Sequence, residues 1–171
     1  MKNRIYQLLT VLAVIFFSTA NYAQATATAT ASATIVAPIA ITKTADMNFG
    51  NVAATATPGT AVLTPLGVRT TTGGVTLPTT DTGTISAATF DVSGQGVFTY
   101  SITLPETHTI THTNGTDTMV VNTFVSIPSS IGTLVAGSQT ISVGATLNIG
   151  ANQEEGVYTS STPFDVIVNY N

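Results

Sequence analysis

The sequence has no cysteine, and only 7% of its 171 residues are charged. Without cysteine there is no disulfide framework, thiolate zinc site, thiol nucleophile or lipidated N-terminal cysteine. Four basic residues leave no electrostatic footprint for nucleic acid, so none is expected as a partner. Disorder driven by charge is excluded, because charge is what the chain lacks. Leucine is scarce, and no stretch beyond the first 25 residues keeps a helical period. What is abundant is threonine, with 35 residues, and alanine. Threonine is β-branched and favours strands. The length fits one domain, with enough chain to bury a core.

Residues 1–25 have the layout of a secretory signal peptide. Lys2 and Arg4 form a positive head, Leu8 to Phe17 is an apolar run broken by Thr10, and Ser18 to Ala25 is small and polar. The run is short, since a membrane-spanning helix needs about 20 apolar residues. An uncleaved anchor is therefore disfavoured, and no transmembrane segment is expected in the mature chain. Cleavage after Ala25 would use Ala23-Gln24-Ala25; cleavage after Ala20 or Ala23 also fits. The mature protein is expected to be secreted, to the periplasm, the cell surface or beyond. Removal of residues 1–25 takes Lys2 and Arg4 and no acid, so the formal charge goes from −4 to −6. The acids are spread along the chain, which suits solubility rather than a site.

The rest reads as strands. Residues 25–36 alternate, with Ala25, Ala27, Ala29, Ala31, Ala33 and Ile35 on one face and mostly Thr on the other. Further candidates are Met47 to Val52, Gly59 to Leu66, Arg69 to Leu77, Ala87 to Val92, Val97 to Leu104, Thr107 to Thr113, Thr116 to Val125, Gln139 to Ile149 and Phe164 to Tyr170. Gly73-Gly74 suggests a loop and Ser93-Gly94-Gln95-Gly96 a hairpin loop. Asn114-Gly115 suggests a type I′ turn, in which both central residues need positive φ. Within Gln139 to Ile149 the inward set is Ile141, Val143, Ala145, Leu147 and Ile149. Eight to ten short strands with no fixed repeat predict an antiparallel β-sandwich, or less readily a closed barrel. The expected organisation is a signal peptide (1–25), an Ala/Thr-rich extension or first strand (26–37) and a sandwich domain (38–171).

Candidate chemistry is thin. His108 and His112 invite a metal, but residues four apart on a strand are about 13 Å apart at roughly 3.3 Å each, and zinc needs ligand nitrogens at about 2.1 Å. Glu154-Glu155 would point to opposite faces if extended, and a loop suits them better. No GxSxG elbow accompanies the two histidines. No catalytic residue, metal or cofactor is therefore expected, and the protein reads as non-enzymatic. Asn114-Gly115-Thr116 is a glycosylation sequon as well as a turn, and Asp117-Thr118-Met119 resembles a bacterial O-glycosylation motif. Thr107, Thr109, Thr111 and Thr113 would line one face, which raises ice binding as a minor reading. The eight aromatics after residue 25 mostly fall on apolar faces, and Tyr158 after a glycine looks like the corner tyrosine of sandwich folds.

Four stretches together carry a family resemblance: Met47-Asn48-Phe49-Gly50-Asn51-Val52, Thr71 to Leu77, Gly144 to Asn152 followed by Gly156-Val157-Tyr158-Thr159, and Val166 to Tyr170. They resemble an uncharacterised secreted bacterial domain family of unknown function. That family is similar to spore-coat-U-type and common-pilus-type fimbrial subunits, which are immunoglobulin-like sandwiches. The resemblance implies a fimbrial-like structural subunit that joins copies of itself by N-terminal strand addition, with a periplasmic chaperone as a second partner. Ile35, Ile39 and Ile41 are then the candidate strand-addition anchors. Phe164, Val166, Val168 and Tyr170 form the candidate C-terminal edge strand. The alternative is a monomeric sandwich acting as an adhesin or glycan-binding module.

Overall fold

A computed structural model describes Asn3 and residues 24–171. The positive head and apolar run of the expected signal peptide lie almost wholly outside the described residues. Residues 24–171 contain no helix, and no helix among the described residues is long and apolar enough to cross a membrane. Contacts divide the chain at Thr34/Ile35, and Ile35–Asn171 is one compact unit.

That unit is all-β, with curled antiparallel sheets compatible with a sandwich. Its spine is β11 (Ser138–Ile149), whose expected inward residues are all buried. One edge of β11 pairs with β9 (Thr118–Ile127), followed outward by β8 (Thr107–His112) and β12 (Tyr158–Thr159). The other edge changes partner halfway. Ser138 to Val143 pair with β6 (Ala88–Ser93), which carries β1 (Ala40–Ala45). Ala145 to Ile149 pair with β3 (Ala53–Leu63), which carries β4 (Arg69–Thr76). The change falls at Gly144, where a side chain would run into the Leu63 carbonyl and Pro65. Glycine thus lets two different strands share one edge.

A second sheet, β10 (Ile131–Thr133), β7 (Thr99–Thr103) and β13 (Ile167–Tyr170), belongs with the first half of the spine. Between them lies one core: Phe90, Val92, Tyr100, Ile102, Leu134, Ile141, Val143, Val166 and Val168. The second half of the spine has its own core of Ala61, Val75, Met119, Val121, Ala145, Leu147 and Ile149. Its packing partners include Met47, Phe49 and Val52, beside the two-stranded β2 (Asn48–Phe49) and β5 (Ile85–Ser86). Met47 and Phe124 pack against both cores.

Several local expectations are corrected. Ser93 to Gly96 is not a hairpin loop. The strands on either side lie in different sheets, so this loop crosses between layers. Gly73-Gly74 is not a loop either. It lies inside β4, with Gly73 opposite Gly59 just after a register shift in β3. Asn114-Gly115 does join a hairpin, β8–β9, but not as a type I′ turn. Gly115 has positive φ and Asn114 does not. Instead the Asn114 side chain accepts the Thr116 and Asp117 amides and donates to the Asp117 carboxylate. In β9 the inward parity switches. Met119 and Val121 face one core, then Ser126 is the buried residue. An extra residue near Thr123, itself at positive φ, makes the switch.

Candidate functional site: the N-terminal segment and the open sheet edges

Residues 24–39 form no strand, although 25–35 alternate in type. Every residue from 24 to 38 is exposed, and Ile35 is 97% exposed. The three candidate anchors are thereby separated. Ile39 and Ile41 are partly buried and pack against their own core, while Ile35 stands in solvent. Burying a large apolar side chain contributes roughly 1.5–3 kcal/mol, so Ile35 is an unused contribution within this chain.

The four C-terminal candidates share one face, as expected. Val166 and Val168 are buried, and Phe164 and Tyr170 are half-buried against the same core. The regular strand is shorter than the alternation, because only Ile167–Tyr170 ladder with β7. Among the described residues β13 has no ladder on its other edge, and β1 pairs only with β6. These two open edges differ in chemistry. β1 carries Lys43, paired with Asp46 at 2.6 Å, and a charge of this kind discourages pairing. The Ile167 to Tyr170 edge carries no charge.

Above the second core, the segments around Met47–Ala54 and Asn152–Phe164 flank a cleft of about 1250 Å³. Its polar groups are largely engaged within the chain. Gln153 donates to the Tyr158 hydroxyl, which donates to the Glu154 carbonyl at 2.8 Å. That is a tyrosine closing onto backbone four residues upstream, the structural role expected for Tyr158. A His108 ring nitrogen lies 2.8 Å from the Ser160 hydroxyl. His112 accepts the Asn114 amide at Nδ1, which places its proton on Nε2, facing the Glu155 carbonyl. The two histidines serve different neighbours, and Glu154 and Glu155 lie exposed in the loop before β12. No group of three potential metal ligands occurs among the described residues.

Two side chains outside the expected set tie separate elements together. Arg69 donates from Nη1 to the Phe49 and Asn51 carbonyls, tying the segment after β2 to the β3–β4 hairpin. Gln139 on the spine accepts the buried Tyr100 hydroxyl at 2.8 Å and the Thr133 amide at 2.9 Å, joining the two sheets. Burial pushes the Tyr100 phenol above its ordinary pKa. The sequence offers no period or motif that marks either residue.

A family model for a domain of unknown function, DUF4402, matches residues 39–170. The chain belongs to the DUF4402 family. The match begins at Ile39, the first partly buried residue after the exposed stretch 24–38, and so leaves out that stretch. No curated protein and no solved structure matches this DUF4402 chain.

Proposed function

We propose that this DUF4402 chain is a secreted, non-enzymatic structural subunit of the cell surface, similar to a pilin or fimbrial subunit. Residues 25–36 of one copy add as a strand to the β13 edge of the next. The reading rests chiefly on one observation: a long, uncharged, alternating segment whose described residues are exposed and form no strand. Two features support it. Ile35 offers apolar area with no use in the monomer, and among the described residues the β13 edge carries no ladder on one side and no charge. In strand addition, main-chain bonds supply affinity and alternate side chains supply specificity. Copies of itself are the expected partner, with a periplasmic chaperone covering the same edge before assembly.

The test compares the mature chain with one lacking residues 25–37, by light scattering and negative-stain electron microscopy. The intact chain should form linear polymers at high concentration. The truncated chain should stay monomeric and bind a synthetic peptide of residues 25–37. An intact chain that stays monomeric, with a truncated form indifferent to the peptide, would overturn the proposal.

A further inference from the structure

Ala37 lies near the end of the exposed segment, two residues before Ile39 meets the core. Its backbone groups are not in a ladder, yet both are bonded to side chains from distant parts of the fold. The Ala37 amide donates to Gln95 Oε1 at 3.1 Å. The Gln95 amide donates to the Tyr170 hydroxyl at 2.6 Å. That hydroxyl donates its single proton to the Ala37 carbonyl at 3.0 Å. The three bonds close a ring, and no proton is asked to serve twice.

The surroundings hold the hydroxyl in place. The Phe98 ring meets Tyr170 edge-on, with centroids 5.5 Å apart. Gly94 lies against the hydroxyl, where any side chain would collide with it. The loop bearing Gln95 is fixed to the β10–β11 turn by the Gly94 amide to the Gly137 carbonyl and the Gly137 amide to the Gly96 carbonyl. This accounts for Gly94-Gln95-Gly96 at a crossing between sheets. One glycine admits the tyrosine, and the glutamine between them reaches Ala37.

We infer that Tyr170 and Gln95 form a latch on Ala37 that fixes the root of the N-terminal segment. Tyr170 is thus a positioning residue as well as a core residue of β13. The latch is a property of the single chain. Its consequence for assembly rests on the strand-addition reading: a fixed root leaves fewer residues to be ordered when the segment pairs, and each ordered residue opposes pairing. It also sets the point from which the segment can reach a neighbour, which governs effective concentration.

Amide hydrogen exchange in dilute monomer tests the latch directly. Tyr170→Phe keeps the ring and its contact with Phe98 but removes the hydroxyl. It should speed exchange at Gln95 and Ala37 by roughly tenfold, the equivalent of one lost hydrogen bond. Amides of β11 should be unchanged. Gln95→Ala should release Ala37, and Gln95→Glu, which retains an acceptor oxygen, should restore its protection. Equal exchange at both amides in the native and Tyr170→Phe chains would overturn the inference. In the polymerisation assay, Gln95→Ala, which lies outside the β13 edge and releases Ala37, should weaken assembly several-fold. Native-like assembly of this variant with Ala37 released would overturn the positioning role. A native chain that never assembles would remove the strand-addition reading and leave the exchange result for the latch standing.

Discussion

Residues 25–36 and β11 are each twelve residues long, and both alternate, apart from Val36 at the end of one and Gln139 at the start of the other. β11 is the spine of the main sheet, laddered on both edges. The N-terminal segment forms no strand among the described residues. The difference lies in what alternates. The inward positions of β11 are Ile141, Val143, Ala145, Leu147 and Ile149, between 0% and 3% exposed. Those of the segment are five alanines and Ile35. A buried methyl contributes about 0.8 kcal/mol, while fixing one residue's backbone costs about 1–2 kcal/mol. An Ala/Thr strand therefore does not hold itself, whereas four large side chains and two flanking ladders hold β11. Period two states which face a residue would take. Side-chain volume decides whether the strand forms alone.

Substitutions can press on each side of this contrast. The largest effect should come from Ile141→Ala. It removes a wholly buried side chain from the first core and should cost about 2–5 kcal/mol in urea unfolding. Next is Tyr100→Phe, which removes the bond from β7 to Gln139 and should cost about 0.5–1.5 kcal/mol at neutral pH. It carries a pH signature. Burial holds the folded phenol above its ordinary value of about 10, so the fold favours the protonated form. That contribution is complete below pH 10 and is lost as pH rises above it through the folded pKa. The native chain should thus lose stability above pH 10 more steeply than Tyr100→Phe in parallel melts.

Tyr158→Phe should cost about 1 kcal/mol, because it frees the Glu154 carbonyl and one Gln153 bond in a half-exposed loop. Faster amide exchange confined to residues 150–157 would show the same loosening. The smallest effect on the monomer should be Ile35→Ala, under about 0.5 kcal/mol, since the side chain touches no core. On polymerisation the order should reverse. Ile35→Ala should weaken assembly by up to about 1.5–3 kcal/mol, the burial of one large side chain. If Ile35→Ala instead destabilised the dilute monomer as much as Ile141→Ala, the contrast between the two segments would fail.

Much of the fold was legible in the sequence. The inward set of β11, the β8–β9 hairpin, and the common face of Phe164, Val166, Val168 and Tyr170 all follow from alternation and turn chemistry. Three features did not, each because a local pattern met a long-range event. The Ser93 to Gly96 loop resembles a hairpin turn, but its glycines serve a crossing between sheets and a contact with Tyr170. β9 reverses its inward parity at Thr123, a residue type with no tendency to positive φ. Gly144 marks where the spine changes partners, which only the approach of Leu63 and Pro65 explains. The site was legible in outline. Alternation singled out the segment and the C-terminal strand, but not that Ile39 and Ile41 serve their own core while Ile35 does not. Gln95, at the centre of the latch, had no signal beyond lying between two glycines.

The most direct measurement is amide hydrogen exchange across residues 26–36 of the mature chain as a function of its concentration. In dilute monomer these amides should exchange nearly as fast as in an unfolded chain. As polymers form they should become protected together, with alternate amides most strongly slowed. Protection already complete in dilute monomer would mean that the segment pairs within its own chain. Fast exchange at every concentration would mean that it pairs with nothing. Either result would contradict strand addition between copies.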